Sequence, residues 1–252
     1  MINGFTKFKE KFKDFKDQYV IIGGAACDLI FDAEELPFRA TKDIDMVLII
    51  ESLTVDFGKA FWEFAADAGY KHINKSTGKA QFYRFSSPDS KEYPLMIELF
   101  SRNNNCLNIE NNSRIEKLLI GEEVSSLSAI LLNDAYYKLL KDNQLYIDDI
   151  PVLKPGCVIL FKAKAWLDLS KRKANGESID SKDIKKHKND IFRLTKIITD
   201  IFDYELDDEI VCDVRMFLNE MKKEDVDLKA IDIRGINKEK LLIRLYDYFN
   251  LK

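Results

Sequence analysis

The sequence is poor in the residues from which zinc sites and nucleophilic relays are usually built. It contains two histidines, His72 and His187, so a His-rich zinc site or a Ser-His-Asp relay has little material to draw on. The cysteines lie far apart and form no CxxC pair, which argues against a zinc knuckle and a disulfide framework. We expect all four to be buried, reduced thiols: Cys27, Cys106, Cys157 and Cys212. Any chemistry is therefore expected to use carboxylates.

Long apolar runs are also missing. Lys, Asp or Glu interrupts every such run before it reaches the roughly eighteen residues that a membrane span needs, and residues 1–18 lack the apolar centre of a signal peptide. We therefore expect no membrane partner and a cytoplasmic location. The formal charge of −4 gives no general attraction to nucleic acid, and no DNA binding is predicted.

The 252 residues, 46% of them apolar, suffice for two domains with packed cores. A change in pattern near residue 153 predicts a mixed α/β domain at 1–153 and a helical domain at 154–252. In the first domain, phenylalanines at helical spacing predict an N-terminal helix, and Thr54 and Gly69 are expected to begin and end a later one. Apolar runs predict strands at Tyr19–Ile22, from Ile44, and as an antiparallel pair within 80–101. The predicted fold is a mixed β-sheet flanked by helices.

Other segments give weaker patterns. We expect a polar loop at 103–112, a further strand at 122–132 and a short helix from Asp134. After Pro155 the pattern is helical, with one of the predicted helices covering 181–202.

One constellation of residues carries chemistry. Gly23 and Gly24 follow the first strand directly, and Asp43 and Asp45 flank a single isoleucine at the start of the second. Two carboxylates one residue apart on a strand point to the same face and repel each other, unless a cation such as Mg²⁺ lies between them. Glu98 is an isolated acid inside another apolar strand, so we expect it to be the third ligand. The glycine turn would let backbone N–H groups approach phosphate oxygens at a helix N-terminus.

These residues resemble the signature of the DNA polymerase beta-like nucleotidyltransferase superfamily: an apolar strand, Gly-Gly or Gly-Ser, a helix, and Asp-x-Asp on the next strand. The segment that runs from "GGAACDLIF" to "RATKDID" is most similar to the AbiEii type of abortive-infection and toxin nucleotidyltransferases. The resemblance implies that Gly23 and Gly24 form the phosphate loop. It assigns metal binding and catalysis to Asp43, Asp45 and Glu98. It assigns nucleotide binding to Arg39 and Thr41, which lead into the two aspartates.

The resemblance extends into the helical half with less specific motifs. There, "VILFKAKAW" is similar to the family's lysine-bearing helix and "KHKNDIFRL" to its Lys-x-x-x-Asp helix, which implies nucleotide-binding roles for Lys162, Lys186 and Asp190. The chain departs from the common pattern in the longer interval between Gly24 and Asp43, in Gly24 where Ser is frequent, and in a glutamate as the third acid.

The resemblance implies an enzyme that transfers NMP from an NTP to an acceptor hydroxyl and releases pyrophosphate. A pair of Mg²⁺ or Mn²⁺ ions held by the three acids would bridge the triphosphate and the attacking hydroxyl. The acceptor would be a tRNA, a protein or a small molecule. A toxin-like member would also have a cognate antitoxin as its partner.

Alternatives remain open for each group of residues. Glu98 could form a structural ion pair with Arg84, and Asp43 and Asp45 could be a solvated strand end that pairs with Arg39. The glycines could form a tight turn, and Lys186 and Asp190 an ordinary surface pair. The chain could then be a nucleotide-binding or interaction protein that retains the fold without transfer, or a kinase-like phosphotransferase that releases ADP.

Overall fold

The computed structural model describes residues 2–71, 84–102, 107–111, 114–118, 130, 133–199 and 201–251. The chain separates into two compact units. The first consists of Met1–Leu132 with Lys141–Leu153, and the second of Asn133–Leu140 with Lys154–Lys252. All residues after 153 therefore belong to the helical unit, and residues 133–140 belong to it as well.

The first unit contains a mixed β-sheet flanked by helices. The strands of this unit are β1 Tyr19–Ile22, β2 Asp43–Leu48, β3 Arg84–Ser86, β4 Met96–Phe100, β5 Leu107–Asn111, β6 Arg114–Leu118, β7 Gln144–Ile147 and β8 Ile150–Leu153. Six of them form the sheet, in the order β3-β4-β2-β1-β8-β7. In this sheet β1 runs antiparallel to β2 and parallel to β8, and β2 runs parallel to β4. A separate hairpin pairs β5 with β6.

The expectation of a mixed sheet with flanking helices is confirmed, and so is the antiparallel pairing of β3 with β4. The polar loop expected at 103–112 is wrong in part, because Leu107–Asn111 forms β5. Leu107 and Ile109 alternate there with polar residues, which is the pattern of a strand. The hairpin β7–β8 was not predicted from the sequence. Of the strand expected at 122–132, the structure describes Ile130 alone, and that residue is helical.

Among its described residues, the first unit contains the helices α1 Phe5–Phe12, α2 Gly23–Ala33 and α3 Val55–Ala68. The Thr54 hydroxyl accepts a hydrogen bond from Phe57 N, and Gly69 ends α3 in the left-handed conformation with φ +65°, so both expected caps are confirmed. The phenylalanines of α1 and α3 form one aromatic cluster with Tyr19 of β1.

The lysines of α1 reach acids on other elements of the first unit. Lys7 contacts Glu92 at 2.7 Å, and Lys11 contacts Glu63 at 2.7 Å. Just after α1, Lys16 contacts Asp149, also at 2.7 Å. The basic face of this segment is therefore neutralised within the unit, as expected for a helix packed on its own domain.

The second unit is helical. Its helix α4 Asp134–Asp142 lies mostly in the segment Asn133–Leu140, and the other helices follow residue 154. Those helices are α5 Pro155–Ala174, α6 Ser181–Leu194, α7 Asp208–Lys223 and α8 Lys238–Tyr248. The helix expected over 181–202 ends at Leu194, where the β-branched run Thr195, Ile197 and Ile198 disfavours further turns.

Cysteine burial corrects one expectation. Cys27 and Cys157 are buried free thiols, but Cys212 is exposed on α7. The reason is helical geometry: the buried stripe of α7 runs through Ile210, Val214 and Phe217, and residue 212 lies off that stripe. Cys106 lies outside the described residues. Among the described residues, no helix is both long enough and apolar enough to cross a membrane.

Candidate active site

The site begins at the turn between β1 and α2. Ile22 is the last residue of β1, and Gly23 begins α2 with φ +66°, a conformation that favours glycine. A Cβ on Gly23 would lie 2.1 Å from Oδ2 of Asp45, so the carboxylate of Asp45 packs directly against the turn. The N-cap residue of α2, Ile22, forms no side-chain capping hydrogen bond. The first N–H groups of the helix have no intrahelical partner, as at the start of any α-helix.

The segment before β2 also contacts this turn. A Cβ on Gly24 would lie 2.9 Å from Oγ1 of Thr41 and 3.3 Å from Nη2 of Arg39. The Arg39 guanidinium carbon lies 5.1 Å from the centre of the Phe38 ring, and Phe38 packs against Phe31 of α2. The structure therefore brings Gly24, Arg39 and Thr41 together at the start of α2, as a shared nucleotide-binding role would require.

The two aspartates lie on the partly exposed face of β2. Asp43 and Asp45 are half-buried, whereas Ile44 between them is fully buried on the opposite face. Asp45 is paired with Ile22 of β1 and with Glu98 of β4. Since residues directly opposite each other on neighbouring strands share a face, Glu98 lies on the face of the aspartates.

The side chain of Glu98 is engaged by a neighbouring strand. Arg84 of β3 is directly opposite Glu98 of β4, and its Nε forms an ion pair with Glu98 Oε1. The Glu98 side chain is 14% exposed and the Arg84 side chain 47%. This is the ion pair that the sequence left open as the alternative for Glu98.

The three acids share a face but are not a preassembled set of ligands. Within the part of the chain that the structure describes, no group of three His, Cys, Asp or Glu side chains could hold a metal ion as it stands. The chemistry of the donors nevertheless suits Mg²⁺, because Asp43 and Asp45 offer hard carboxylate oxygens side by side. The third expected donor is the one that Arg84 binds.

A cavity of about 770 Å³ opens beside the turn. Its wall contains residues of α2, of the segment that leads into β2, and of the loop between β3 and β4. They include Asp28, Phe38, Thr41, Lys42, Lys91 and Tyr93. Such a volume lies within the range of small-molecule sites. The cavity therefore gives a ligand room next to the residues that contact Gly24.

Asp28 is a site residue that the sequence analysis did not single out. It lines the cavity and follows Gly24 by four positions, which places both residues on one side of α2. Burial raises the pKa of the Asp28 carboxyl, Asp32 raises it further, and Arg39 opposes both effects. An acid one helical turn after the glycine pair was the signal that could have found it.

Two of the three helical-unit residues of the resemblance contact each other in the interior of that unit. Lys162 of α5 contacts Asp190 of α6 with 2.9 Å between Nζ and Oδ2, and Arg193 contacts the other carboxylate oxygen at 3.3 Å. Asp190 is fully buried and Lys162 nearly so, whereas Lys186 is exposed. The surface pair considered for Lys186 and Asp190 is therefore wrong, because Asp190 is not at the surface.

Comparison of the chain with protein-family models, curated proteins and solved structures returned no match.

Proposed function

We propose that this chain is a metal-dependent nucleotidyltransferase whose first unit has the nucleotidyltransferase fold and carries the catalytic acids. The observation that supports this most is the contact of Asp45 with the Gly23 turn. It combines a strand-end carboxylate, a second carboxylate on the same face and the N-terminus of a helix within one small region. These are the parts that a triphosphate and its cation need.

Each group has a role in this proposal. The N–H groups at the start of α2 bind phosphate oxygens, aided by the partial positive charge of the helix terminus. Arg39 and Thr41 lie against Gly24 and face the same phosphates. Asp43 and Asp45 would hold Mg²⁺ or Mn²⁺, with Glu98 as the third carboxylate. The bound cations would neutralise charge on the triphosphate and favour the deprotonated acceptor hydroxyl.

The reaction follows from this arrangement. The acceptor oxygen forms a bond to the α-phosphorus of the NTP, the bond to the leaving pyrophosphate breaks, and Asp45 or Glu98 takes the hydroxyl proton. Most of the rate enhancement then comes from holding the two reactants in line. The cavity beside Thr41 has the volume for a nucleotide, and within the described residues its Lys42 and Lys91 form no ion pair.

The acceptor is proposed to be a hydroxyl of a tRNA, a protein or a small molecule, as in toxin-like nucleotidyltransferases with a cognate antitoxin. Lys162, Lys186 and Asp190 are the least supported of the proposed nucleotide-binding residues. Lys162 and Asp190 already neutralise each other inside the helical unit. Of the three, Lys186 is the exposed residue.

A second candidate function is nucleotide binding without transfer. It is favoured by the ion pair between Arg84 and Glu98, which occupies the third carboxylate. A protein of this kind would use the glycine turn and the cavity but would have no acid free to complete a cation site.

The test is transfer of label from α-³²P-NTPs. The protein is incubated with each NTP, Mg²⁺ or Mn²⁺, and tRNA, a cell lysate or a panel of small hydroxyl compounds, and both labelled product and pyrophosphate are measured. The proposal predicts both products, and it predicts that Asp43→Asn and Asp45→Asn each reduce transfer by at least about 100-fold.

Asp149→Asn is the matched control for these variants. Asp149 is an exposed acid of the same unit with φ +69°, a backbone conformation that Asn also tolerates. The control should retain full transfer. If wild type and both aspartate variants bind NTP but none of them releases pyrophosphate, the result would favour the second candidate function, nucleotide binding without transfer. Release of ADP would instead indicate phosphoryl transfer.

A further inference from the structure

In the first unit, Glu98 has a charged residue on each neighbouring strand, and it forms an ion pair with one of them, Arg84. Strand β4 lies between β3 and β2, so Glu98 is directly opposite Arg84 on one side and Asp45 on the other. A guanidinium and a carboxylate therefore flank the same acid on one face of the sheet. Like charges directly opposite each other on neighbouring strands are destabilising, and an opposite charge offsets them.

The two partners differ in how tightly they are held. The Glu98 side chain is 14% exposed, so its charge needs a partner, whereas Arg84 is 47% exposed and its guanidinium can move into water at little cost. Arg84 lies on β3, the last strand in the order of the sheet, and Ser86 of the same strand forms an isolated antiparallel bridge with Lys71 on the other side. Of the two partners, the more exposed Arg84 is therefore the one whose movement into water would open the ion pair.

We propose that Arg84 is a built-in counter-ion that competes with divalent cations for Glu98 and so sets the cation affinity of the site. This inference rests on the proposed function, because it takes Asp43 and Asp45 as the other ligands. In the absence of a cation, Arg84 holds Glu98 and balances the charge of the acids. Cation binding requires Glu98 to exchange the guanidinium for the cation, after which Arg84 is released to solvent or to an anionic ligand.

Arg84 is thus a positioning residue that acts through Glu98. The apparent affinity of a site is reduced by the fraction of molecules in which it is competent to bind. Removing the arginine should therefore strengthen cation binding, whereas removing an ordinary structural arginine would weaken binding or leave it unchanged. The direction of the change in cation affinity therefore distinguishes an arginine that competes with the cation from one that only supports the structure.

The experiment measures the dissociation constant of Mn²⁺ from the full chain, without nucleotide, through the electron paramagnetic resonance signal of free Mn²⁺. Arg84→Gln is expected to bind Mn²⁺ roughly fivefold more tightly than wild type. Arg84→Lys, which retains the cation, should lie near wild type. Arg102→Gln removes an arginine just beyond the end of β4, so it controls for the loss of one positive charge from this unit.

A double variant tests the route through Glu98. Arg84→Gln combined with Glu98→Gln should lose the gain in affinity, because the competed carboxylate is then missing. Circular dichroism of each variant verifies the fold, and the double variant leaves no unpaired charge at this register position.

The outcomes separate this inference from the proposed function. If Asp45→Asn abolishes Mn²⁺ binding while Arg84→Gln leaves the affinity unchanged or weaker, the counter-ion role is wrong and the cation site stands. An equal gain in Arg102→Gln would also overturn it, because the effect would then be one of net charge. If neither wild type nor Arg84→Gln binds Mn²⁺ in a way that depends on Asp45, both the inference and the metal-dependent function fall.

Discussion

The carboxylate of Asp45 occupies the space in which a side chain of residue 23 would lie. A Cβ on Gly23 would be 2.1 Å from Asp45 Oδ2, and the glycine itself has φ +66°. Two separate constraints therefore require glycine here: the left-handed backbone and the close approach of the acid. The position of Asp45 relative to α2 is consequently fixed by the main chain of the turn.

Gly23→Ala should destabilise the first unit and displace Asp45. The left-handed backbone costs an L-residue about 1–2 kcal/mol, and the collision with the carboxylate adds to this, for a total of about 2–3 kcal/mol. Urea unfolding followed by circular dichroism measures the loss. The rate of nucleotidyl transfer should fall by more than the loss of folded protein explains, because the displaced acid is the proposed cation ligand.

Gly176→Ala is the matched control for this substitution. Gly176 has φ +90°, but no heavy atom lies within 4 Å of the Cβ position. It should show the backbone cost of about 1–2 kcal/mol alone. Equal losses in the two variants would show that the Asp45 carboxylate can move aside without cost.

The ion pair between Lys162 and Asp190 should behave as a buried structural pair. Asp190→Ala leaves a nearly inaccessible ammonium without its carboxylate, which should cost about 3–5 kcal/mol in urea unfolding. The double variant Lys162→Met with Asp190→Leu should recover much of that loss, since the buried ammonium is removed together with its carboxylate and only the partly accessible Arg193 loses its contact with Asp190.

The exposed pair between Lys223 and Glu220 provides the comparison for Asp190. Both of its side chains are substantially accessible, so Glu220→Ala should change stability by less than about 1 kcal/mol. A loss for Asp190→Ala as small as that for Glu220→Ala would mean that Lys162 finds another partner or reaches water.

Stability should decline on the alkaline side. Burial raises the pKa values of Tyr19, Tyr70 and Tyr136 above the ordinary 10.0, and that of the Cys157 thiol above 9.0. Because the folded-state pKa values are raised, this contribution is fully present below the ordinary values. It is lost as the pH rises above them, where the unfolded chain ionises and the folded chain does not. Urea midpoints between about pH 8 and about pH 10.5 should therefore fall with pH.

Two tyrosine variants separate burial from hydrogen bonding in this effect. The Tyr19 hydroxyl is fully buried and has no hydrogen-bond partner within the described residues, so Tyr19→Phe should be neutral or stabilising and should reduce the alkaline slope. The Tyr136 hydroxyl donates to Asp213 at 3.0 Å. Tyr136→Phe should therefore reduce the slope but lower stability at pH 7. A slope unchanged in both variants would assign the alkaline loss to other groups.

Elements with a local chemical signature were predictable from the sequence. The cap at Thr54, the end of α3 at Gly69 and the strand before the glycine pair each depend on residues within a few positions. The shared face of Asp43 and Asp45 follows from the alternation of a strand alone. These features depend on residues that are close to one another in the sequence.

The hairpin β7–β8 was missed because its signals conflict. Pro151 lies within β8 and is unusual inside a sheet, which argues against a strand. The opposing signal is the turn Asp148-Asp149, where both residues have positive φ, as in a two-residue hairpin. Its place beside β1 depends on a pairing between Ile21 and Val152, which no local pattern encodes.

The partner of Glu98 could be proposed but not decided from the sequence. Whether Arg84 is directly opposite Glu98 depends on the register of β3 with β4, and that register is set by the whole connection between the strands. A shift of one residue would move the arginine to the other face. The cavity is beyond sequence reasoning for a similar reason, since its wall is drawn from segments far apart in the chain.

The pairing of β1 with β8 makes the first unit discontinuous in sequence. A fragment that stopped at residue 132 would lack β7 and β8 and would leave Tyr19–Ile22, fully buried in the intact chain, as an open edge. Unpaired apolar edges recruit other chains and promote aggregation. A truncation intended to isolate the acid-bearing half must therefore extend to residue 153 and carry the helix at Asp134–Asp142 with it.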